Sequence, residues 1–270
     1  MNITFIGGGN MARAIIGGLV SKGFPAAAIG VVDVVPAALE RLKSELGVRG
    51  YASAAEAVPY GDLVVMAVKP QQMHDAAVQL APGLAGQLVL SIAAGTRMKD
   101  LSRWLGGHRA LVRCMPNAPA LIGAGVSAAC AAPEVNAAQR GQAAQVLEAV
   151  GKVLWVEQEA LLDPVTAVSG SGPAYVFYFI EAMQQAAIEL GLSAEQARTL
   201  SLETFLGAAR LAAGSDDPVS VLRQRVTSKS GTTEAALISM AADRVHDAIG
   251  RAIRAASVRG RQLGEELGKG

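Results

Sequence analysis

The sequence predicts an α/β fold: a doubly wound, largely parallel sheet over the first half of the chain, followed by an all-α second half. Three observations carry that prediction. Short apolar runs alternate with helical patterns as far as Trp155, a glycine-rich turn joins the first run to the first helix, and beyond Trp155 only helical patterns remain. The boundary falls near Glu157 to Pro164, giving a sheet domain over residues 1–160 and a helical domain over residues 161–270.

Asn2 to Ile6 is a short apolar strand that leads at once into Gly7-Gly8-Gly9-Asn10-Met11-Ala12 and then a helical pattern through Leu19 and Val20. This is the strand, glycine turn and helix of a Rossmann-type dinucleotide site: Gly7 makes the tight turn, Gly9 admits a pyrophosphate, and Ala12 lets helix and strand pack closely. A purely structural glycine turn is the alternative. The second strand, Ile29 to Val32, ends in Asp33, at the spacing expected of a carboxylate that binds a cofactor ribose. Pro36 to Leu46 reads as a helix stopped by Gly47, with an extended piece near Val48 to Tyr51. Asp62 to Val68 is apolar throughout, as in a strand covered on both faces, and Lys69-Pro70-Gln71 turns the chain into a helix through Leu80. Leu88 to Ile92 is a further buried strand, ended by Ala93-Ala94-Gly95, and Ala110 to Arg113 runs on into Cys114-Met115-Pro116-Asn117. Ligands of such sheets bind at the carboxyl ends of the strands, where each of these polar motifs falls.

Composition narrows the class further. With 270 residues, 51% of them hydrophobic and 17% charged, the chain can bury a sizeable core in two domains. A net charge of +1 gives no reason to expect a nucleic-acid partner. Cys114 and Cys130 lie in neither a metal-ligand spacing nor a redox pair and are expected to be buried and reduced. His74, His108 and His246 stand far apart, which argues against a metal site or a histidine-based triad. The first apolar run is broken by three glycines, unlike a secretory signal, and later runs are too short to span a bilayer. A cytoplasmic location follows as the expectation.

In the helical half, Pro173 starts one helix after Ser169-Gly170-Ser171-Gly172 and Gly191 ends it, while Ser193 and Gln196 form a capping box for the next. Asp217-Pro218 opens another. Ala174 to Ile180 is apolar or aromatic on every face, and a helical domain of this size can hardly cover such a helix alone. Association with a second copy is the expected remedy; the rivals are a helix sunk between the two domains and a membrane-surface segment, the latter lacking the charged opposite face such helices carry.

Near the far end, Val226-Thr227-Ser228-Lys229-Ser230-Gly231-Thr232-Thr233-Glu234 leads into a helix-forming run. The free N–H groups around Gly231, Thr232 and Thr233 make this start a candidate site for a small anion such as a carboxylate. A simple Ser/Thr N-cap is the alternative.

Phe5 to Ala12, Ala67 to Gln71, Val112 to Asn117, Ser169 to Tyr175 and Val226 to Thr233, taken together and in this order, resemble the pyrroline-5-carboxylate reductase family. The resemblance implies reduction of the cyclic imine 1-pyrroline-5-carboxylate to proline with NADPH or NADH, in a homo-oligomer built through the helical domain as a dimer or a ring of dimers. By position it implies that Ile6, Gly7, Gly8, Gly9, Asn10 and Met11 hold the pyrophosphate. Ala67, Val68, Lys69 and Pro70 would line the cofactor, Ala93 and Ala94 would lie beside the nicotinamide, and Asn117 is a further candidate on that side. Gly231, Thr232 and Thr233 would hold the substrate carboxylate, with the Thr233 hydroxyl facing the ring nitrogen as the catalytic contact. Glu159 matches an acidic position near the substrate, its alternative being an exposed first-turn carboxylate, while Ser169 and Ser171 are read as shaping their turn.

Two departures stand out. Relatives have Ser-Pro-Gly-Gly where this chain has Ser228-Lys229-Ser230-Gly231, so Lys229 either adds a positive charge near the carboxylate or marks a looser loop. An asparagine that relatives place near Ser53 and Ala54 is missing. The competing functions are a reductase or dehydrogenase of another small acid, and a dinucleotide-sensing protein that has lost catalysis.

Overall fold

A computed structural model describes residues 1–269 of the chain. Its eight strands are β1 (Ile3–Ile6), β2 (Ile29–Val32), β3 (Arg49–Tyr51), β4 (Leu63–Met66), β5 (Leu88–Ser91), β6 (Leu111–Met115), β7 (Gly125–Ala131) and β8 (Gly151–Trp155). They form one sheet in the order β3-β2-β1-β4-β5-β6-β7-β8. The first six strands run parallel in the order of a dinucleotide-binding sheet, and the direction of winding reverses between β1 and β4. β7 pairs antiparallel with β6 and parallel with β8.

The helices are α1 (Asn10–Ser21), α2 (Pro36–Leu46), α3 (Ala54–Ala57), α4 (Met73–Leu80), α5 (Met98–Trp104), α6 (Ala137–Glu148), α7 (Leu162–Val165), α8 (Gly172–Glu189), α9 (Ala194–Ala213), α10 (Val219–Arg225), α11 (Thr232–Ala242) and α12 (Val245–Leu267). Side chains alternate across a strand, so the central strands carry two apolar faces and need cover on both. Phe5, Val65 and Leu90 pack on one side with Ile15, Ile16 and Leu19 of α1, Leu42 of α2 and Val146 of α6. Val64, Met66 and Val89 pack on the other with Met73 and Leu80 of α4 and Leu101 and Trp104 of α5.

β1, β2, α2 and β5 fall where the sequence predicts them. β7 and α6 carry weak patterns and escape a reading by periodicity, since β7 is Gly-Val-Ser-Ala-Ala-Cys-Ala. The chain gathers into two compact units: Met1–Ser171 together with the segment from Arg254 on, and Gly172–Ile253. The expected division at residue 160 places the whole C-terminal stretch with the helical domain, whereas the end of α12 belongs to the sheet unit. That return is invisible to local sequence because helical periodicity does not say which surface a helix covers.

Within the helical unit, Ser193 and Gln196 cap α9 by two reciprocal hydrogen bonds of 2.9 and 3.2 Å. Phe179 of α8 meets Phe205 of α9 edge-on, with ring centroids 5.7 Å apart. Of its apolar residues only Ile180 and Ala197 are buried, while Phe177 and Tyr178 are 67% and 76% exposed. A unit with so little interior lacks the core that would order it alone.

Candidate active site

The turn after β1 is built for close approach. Gly7 has φ +101°, where a side chain is strained, and a Cβ there would lie 2.8 Å from the Ala67 carbonyl oxygen. Gly7 N–H donates to the Val32 carbonyl at 2.8 Å, tying the turn to the end of β2. Gly9, the N-cap of α1, has no side-chain cap, and a Cβ on it would meet nothing within 4 Å. The two glycines thus differ in kind: Gly7 is required by the protein's own backbone, whereas Gly9 keeps clear a space outside the helix start. Ala12 is fully buried against the sheet.

Asp33 follows β2 and uses both carboxylate oxygens locally: Oδ2 accepts from Gly8 N–H at 2.7 Å and Oδ1 from Val35 N–H at 2.8 Å. It places a fixed negative charge beside the glycine turn, next to the exposed Val34. Ala67 N–H donates to the Ile6 carbonyl at 2.8 Å, so the segment Ala67 to Pro70 borders the same turn. Ala93 is buried and Ala94 exposed at the carboxyl end of β5. Asn117 Oδ1 accepts from Val126 N–H at 2.9 Å and ties the loop after β6 to the start of β7. This open, glycine-floored edge at the point where winding reverses has the shape a dinucleotide needs, with α1 pointing its N-terminus into it.

Glu159 does lie in the first turn of a short helix, Glu159–Leu161, but it is not the exposed carboxylate of the alternative reading. Its side chain is 22% exposed, and Oε1 accepts from Met98 N–H at 2.7 Å and from the buried Arg113 guanidinium at 2.9 Å. Nearby, Arg97 pairs with Asp163 at 2.9 Å, both largely buried. No local motif reveals this pair, whose members lie 66 residues apart. Ser169 Oγ donates to the Val165 carbonyl at 3.0 Å within a π-helical turn spanning Thr166–Gly170, which fits its reading as a turn-shaping residue.

The cysteines are free and buried. Burial pushes the Cys114 thiol up to about 12, opposed by a weaker contact with Ser127, and burial followed by the Glu159 charge raises Cys130. Neither is a nucleophile at neutral pH. Among the described residues no cluster of histidine, cysteine and carboxylates could hold a metal ion, and no helix is long and apolar enough to cross a membrane.

In the helical unit, Gly231 is the N-cap of α11, and no side chain caps the helix. Thr232 is exposed and Thr233 half-buried in its first turn. A Cβ on Gly231 would meet Ser228 Oγ, which can rotate away, and would lie 3.1 Å from the Ser228 carbonyl oxygen, a tight contact that favours glycine. Ser230 N–H donates to Glu234 at 2.6 Å, which fixes the turn from the helix side. The α11 start therefore presents N–H groups of the kind that bind a carboxylate.

The chain is 49% identical to the pyrroline-5-carboxylate reductase of Pseudomonas aeruginosa over 99% of its own length and 98% of that protein's. It belongs to the pyrroline-5-carboxylate reductase family. The Vibrio alginolyticus member is 41% identical over 97% of each chain. Among solved structures, that of a pyrroline-5-carboxylate reductase from Coxiella burnetii superposes with a TM-score of 0.92 at 39% identity, covering 97% of this chain and 98% of that one. The Plasmodium falciparum pyrroline carboxylate reductase, solved with NADP bound, superposes with a TM-score of 0.87 at 27% identity and 98% coverage of both chains. Residues 159–263 match the family model described as pyrroline-5-carboxylate reductase dimerisation, and residues 2–95 match that described as NADP oxidoreductase, coenzyme F420-dependent. The reductase family match and the coreless helical unit agree in making the chain a homo-oligomer.

Membership gives the departure at Ser230 a physical meaning. Ser230 has φ +60°, the left-handed region that glycine occupies without cost, so the serine that stands in this turn is strained.

Proposed function

We propose that this chain reduces 1-pyrroline-5-carboxylate to L-proline with NADPH or NADH, the last step of proline synthesis, in the cytoplasm and as a dimer joined through its helical unit. The full-length identity to curated pyrroline-5-carboxylate reductases carries the reading, and the intact glycine turn supports it.

In this reading Ile6 to Met11 cradle the pyrophosphate: Gly9 leaves the approach open and the N-terminus of α1 offsets the phosphate charge. Ala67, Val68, Lys69 and Pro70 line the cofactor along the switch in winding, Ala93 and Ala94 flank the nicotinamide, and Asn117 holds the neighbouring loop in place. When bound, the reduced nicotinamide supplies the hydride. Gly231, Thr232 and Thr233 receive the substrate carboxylate on the N–H groups of α11, Thr233 Oγ1 meets the ring nitrogen, and Glu159, held by Arg113, is the acidic residue proposed for the substrate on the sheet unit. A protonated imine carbon is already electrophilic, so the protein's work is to orient the ring, exclude water and balance charge. No histidine or thiolate is needed for that chemistry.

Asp33 favours a free ribose over a 2′-phosphate, because its charge sits beside the glycine turn and Val34-Val35-Pro36 brings no cation to it. The test is to mix purified protein with 1-pyrroline-5-carboxylate and NADH or NADPH, follow the loss of nicotinamide absorbance, and identify proline. Cofactor binding without oxidation would refute the catalytic reading. A strong preference for NADPH, unchanged in Asp33→Ser, would remove the argument from Asp33.

A further inference from the structure

The turn after β5, Ala93 to Met98, is held by residues distant in sequence. Met98 N–H donates to Glu159 Oε1 at 2.7 Å, and Arg97 pairs with Asp163 at 2.9 Å. The last turns of α12 close on the same segment: a Cβ on Gly264 would lie 2.9 Å from Arg97 Nε and 3.1 Å from the Gly95 carbonyl oxygen. From the other side, a Cβ on Gly95, whose φ is +79°, would lie 2.9 Å from a methyl of Leu267. Arg103 then donates to the Gly268 carbonyl at 2.8 Å, tying the chain end to α5. Helix interiors disfavour glycine, so its presence at the buried position 264 calls for a contact that only a missing side chain permits.

We propose that Arg97 and Gly264 are positioning residues for the nicotinamide side of the cofactor pocket: together they set the height of the Ala93-Ala94-Gly95 turn. The inference rests on the reading of Ala93 and Ala94 as nicotinamide neighbours. Gly264 brings the α12 backbone against Gly95 and Arg97. Arg97 is braced between that helix and Asp163, so its guanidinium cannot yield to a larger residue without moving the turn. The pyrophosphate cradle at Gly7 to Gly9 belongs to another loop. A displaced Ala93 to Gly95 turn therefore alters the ring's reach for substrate more than the cofactor's overall affinity.

The test compares Gly264→Ala and Arg97→Met with Gly260→Ala, a change one turn earlier on α12 where the nearest atom to a new Cβ, the Asp163 carbonyl oxygen, is at 4.0 Å. Steady-state kinetics, a titration of NADH binding and a melting curve are recorded for each. Gly264→Ala and Arg97→Met are expected to lower kcat by about 10- to 100-fold, the range of a small displacement from the reactive geometry, with NADH affinity little changed; Arg97→Met should also lower the melting temperature without unfolding the protein, because it leaves the largely buried Asp163 carboxylate unpaired. Gly260→Ala should keep wild-type kcat, and Arg97→Lys should recover part of the loss. Unaltered kcat in both test variants overturns the proposal. So does collapse of the fold in both, which would make the contacts merely structural. If only Gly264→Ala fails to fold, Arg97→Met decides. Wild-type protein that does not oxidise NADH or NADPH with 1-pyrroline-5-carboxylate overturns the underlying reading and this proposal with it; normal wild-type turnover with unaltered variants overturns this proposal alone.

Discussion

Gly9→Ala separates the two uses of glycine in the turn after β1. The backbone at Gly9, φ −67° and ψ −178°, is open to alanine, and the added methyl would meet no protein atom within 4 Å. The cost to the fold is the poorer N-cap alone, up to about 1 kcal/mol, which for a chain of this size lowers the melting temperature by roughly 2–4 °C. The same methyl enters the space through which a pyrophosphate would reach the N–H groups of α1. Loss of one charge-assisted hydrogen bond there, about 1.5–3 kcal/mol, corresponds to roughly 10- to 150-fold weaker cofactor binding. Gly7→Ala has the opposite profile: a φ of +101° and a Cβ placed 2.8 Å from the Ala67 carbonyl combine strain with overpacking, so the fold itself should lose several kcal/mol, on the order of 2–5. Fluorescence titration with NADH and NADPH, with melting curves on both variants, checks the contrast. Wild-type cofactor affinity in Gly9→Ala would refute the placement of the pyrophosphate, whatever the stability.

Thr233→Val keeps the shape of the α11 start and removes the hydroxyl proposed to meet the substrate nitrogen; turnover should fall by about 100-fold while cofactor affinity and melting temperature hold, and wild-type turnover would leave Thr233 as an ordinary helix residue. Ser230→Gly relieves a left-handed serine at φ +60° but loosens the unfolded chain, so the net gain should be small and positive, up to about 1 kcal/mol, as read from denaturant unfolding; a clear loss would show that the serine side chain holds the turn. Phe177→Glu puts a charge on the apolar surface of α8 at a residue 67% exposed and should shift sedimentation toward monomer with loss of helical-unit stability, whereas unchanged association would place the interface elsewhere. Cys114, its thiol held up at about 12 against an ordinary 9.0, should resist alkylation in the native protein near neutral pH and react after denaturation. Because its folded pKa lies above the unfolded one, its contribution to stability is complete below about 9 and is lost as pH rises toward 12, so alkaline melting curves should fall across that window.

The sequence alone determined the sheet half in most of its elements, because the central strands of a doubly covered sheet must be apolar throughout and the helices between them must carry one apolar stripe. The glycine turn was legible for the same local reason: φ +101° at Gly7 and the clearance at Gly9 are properties of a few consecutive residues. The capping box of α9 and the free helix start at Thr232 were equally local, and the unpartnered apolar face of α8 followed from its composition. Tertiary structure decided what sequence separation hides. β7, with its small side chains, joins the sheet antiparallel because its ladder with β6 supplies the pairing that its own weak pattern does not announce. Local sequence leaves Glu159 open between a substrate-side acid and an exposed carboxylate until Arg113 and the Met98 amide are brought to it, since a charge turns inward only where fixed donors offset its desolvation. The end of α12 carries helical periodicity and nothing more, and only packing shows that Gly264 lies against Gly95 and Arg97, where an added Cβ would be crowded at 3.1 Å by the Gly95 carbonyl oxygen and at 2.9 Å by the Arg97 side chain.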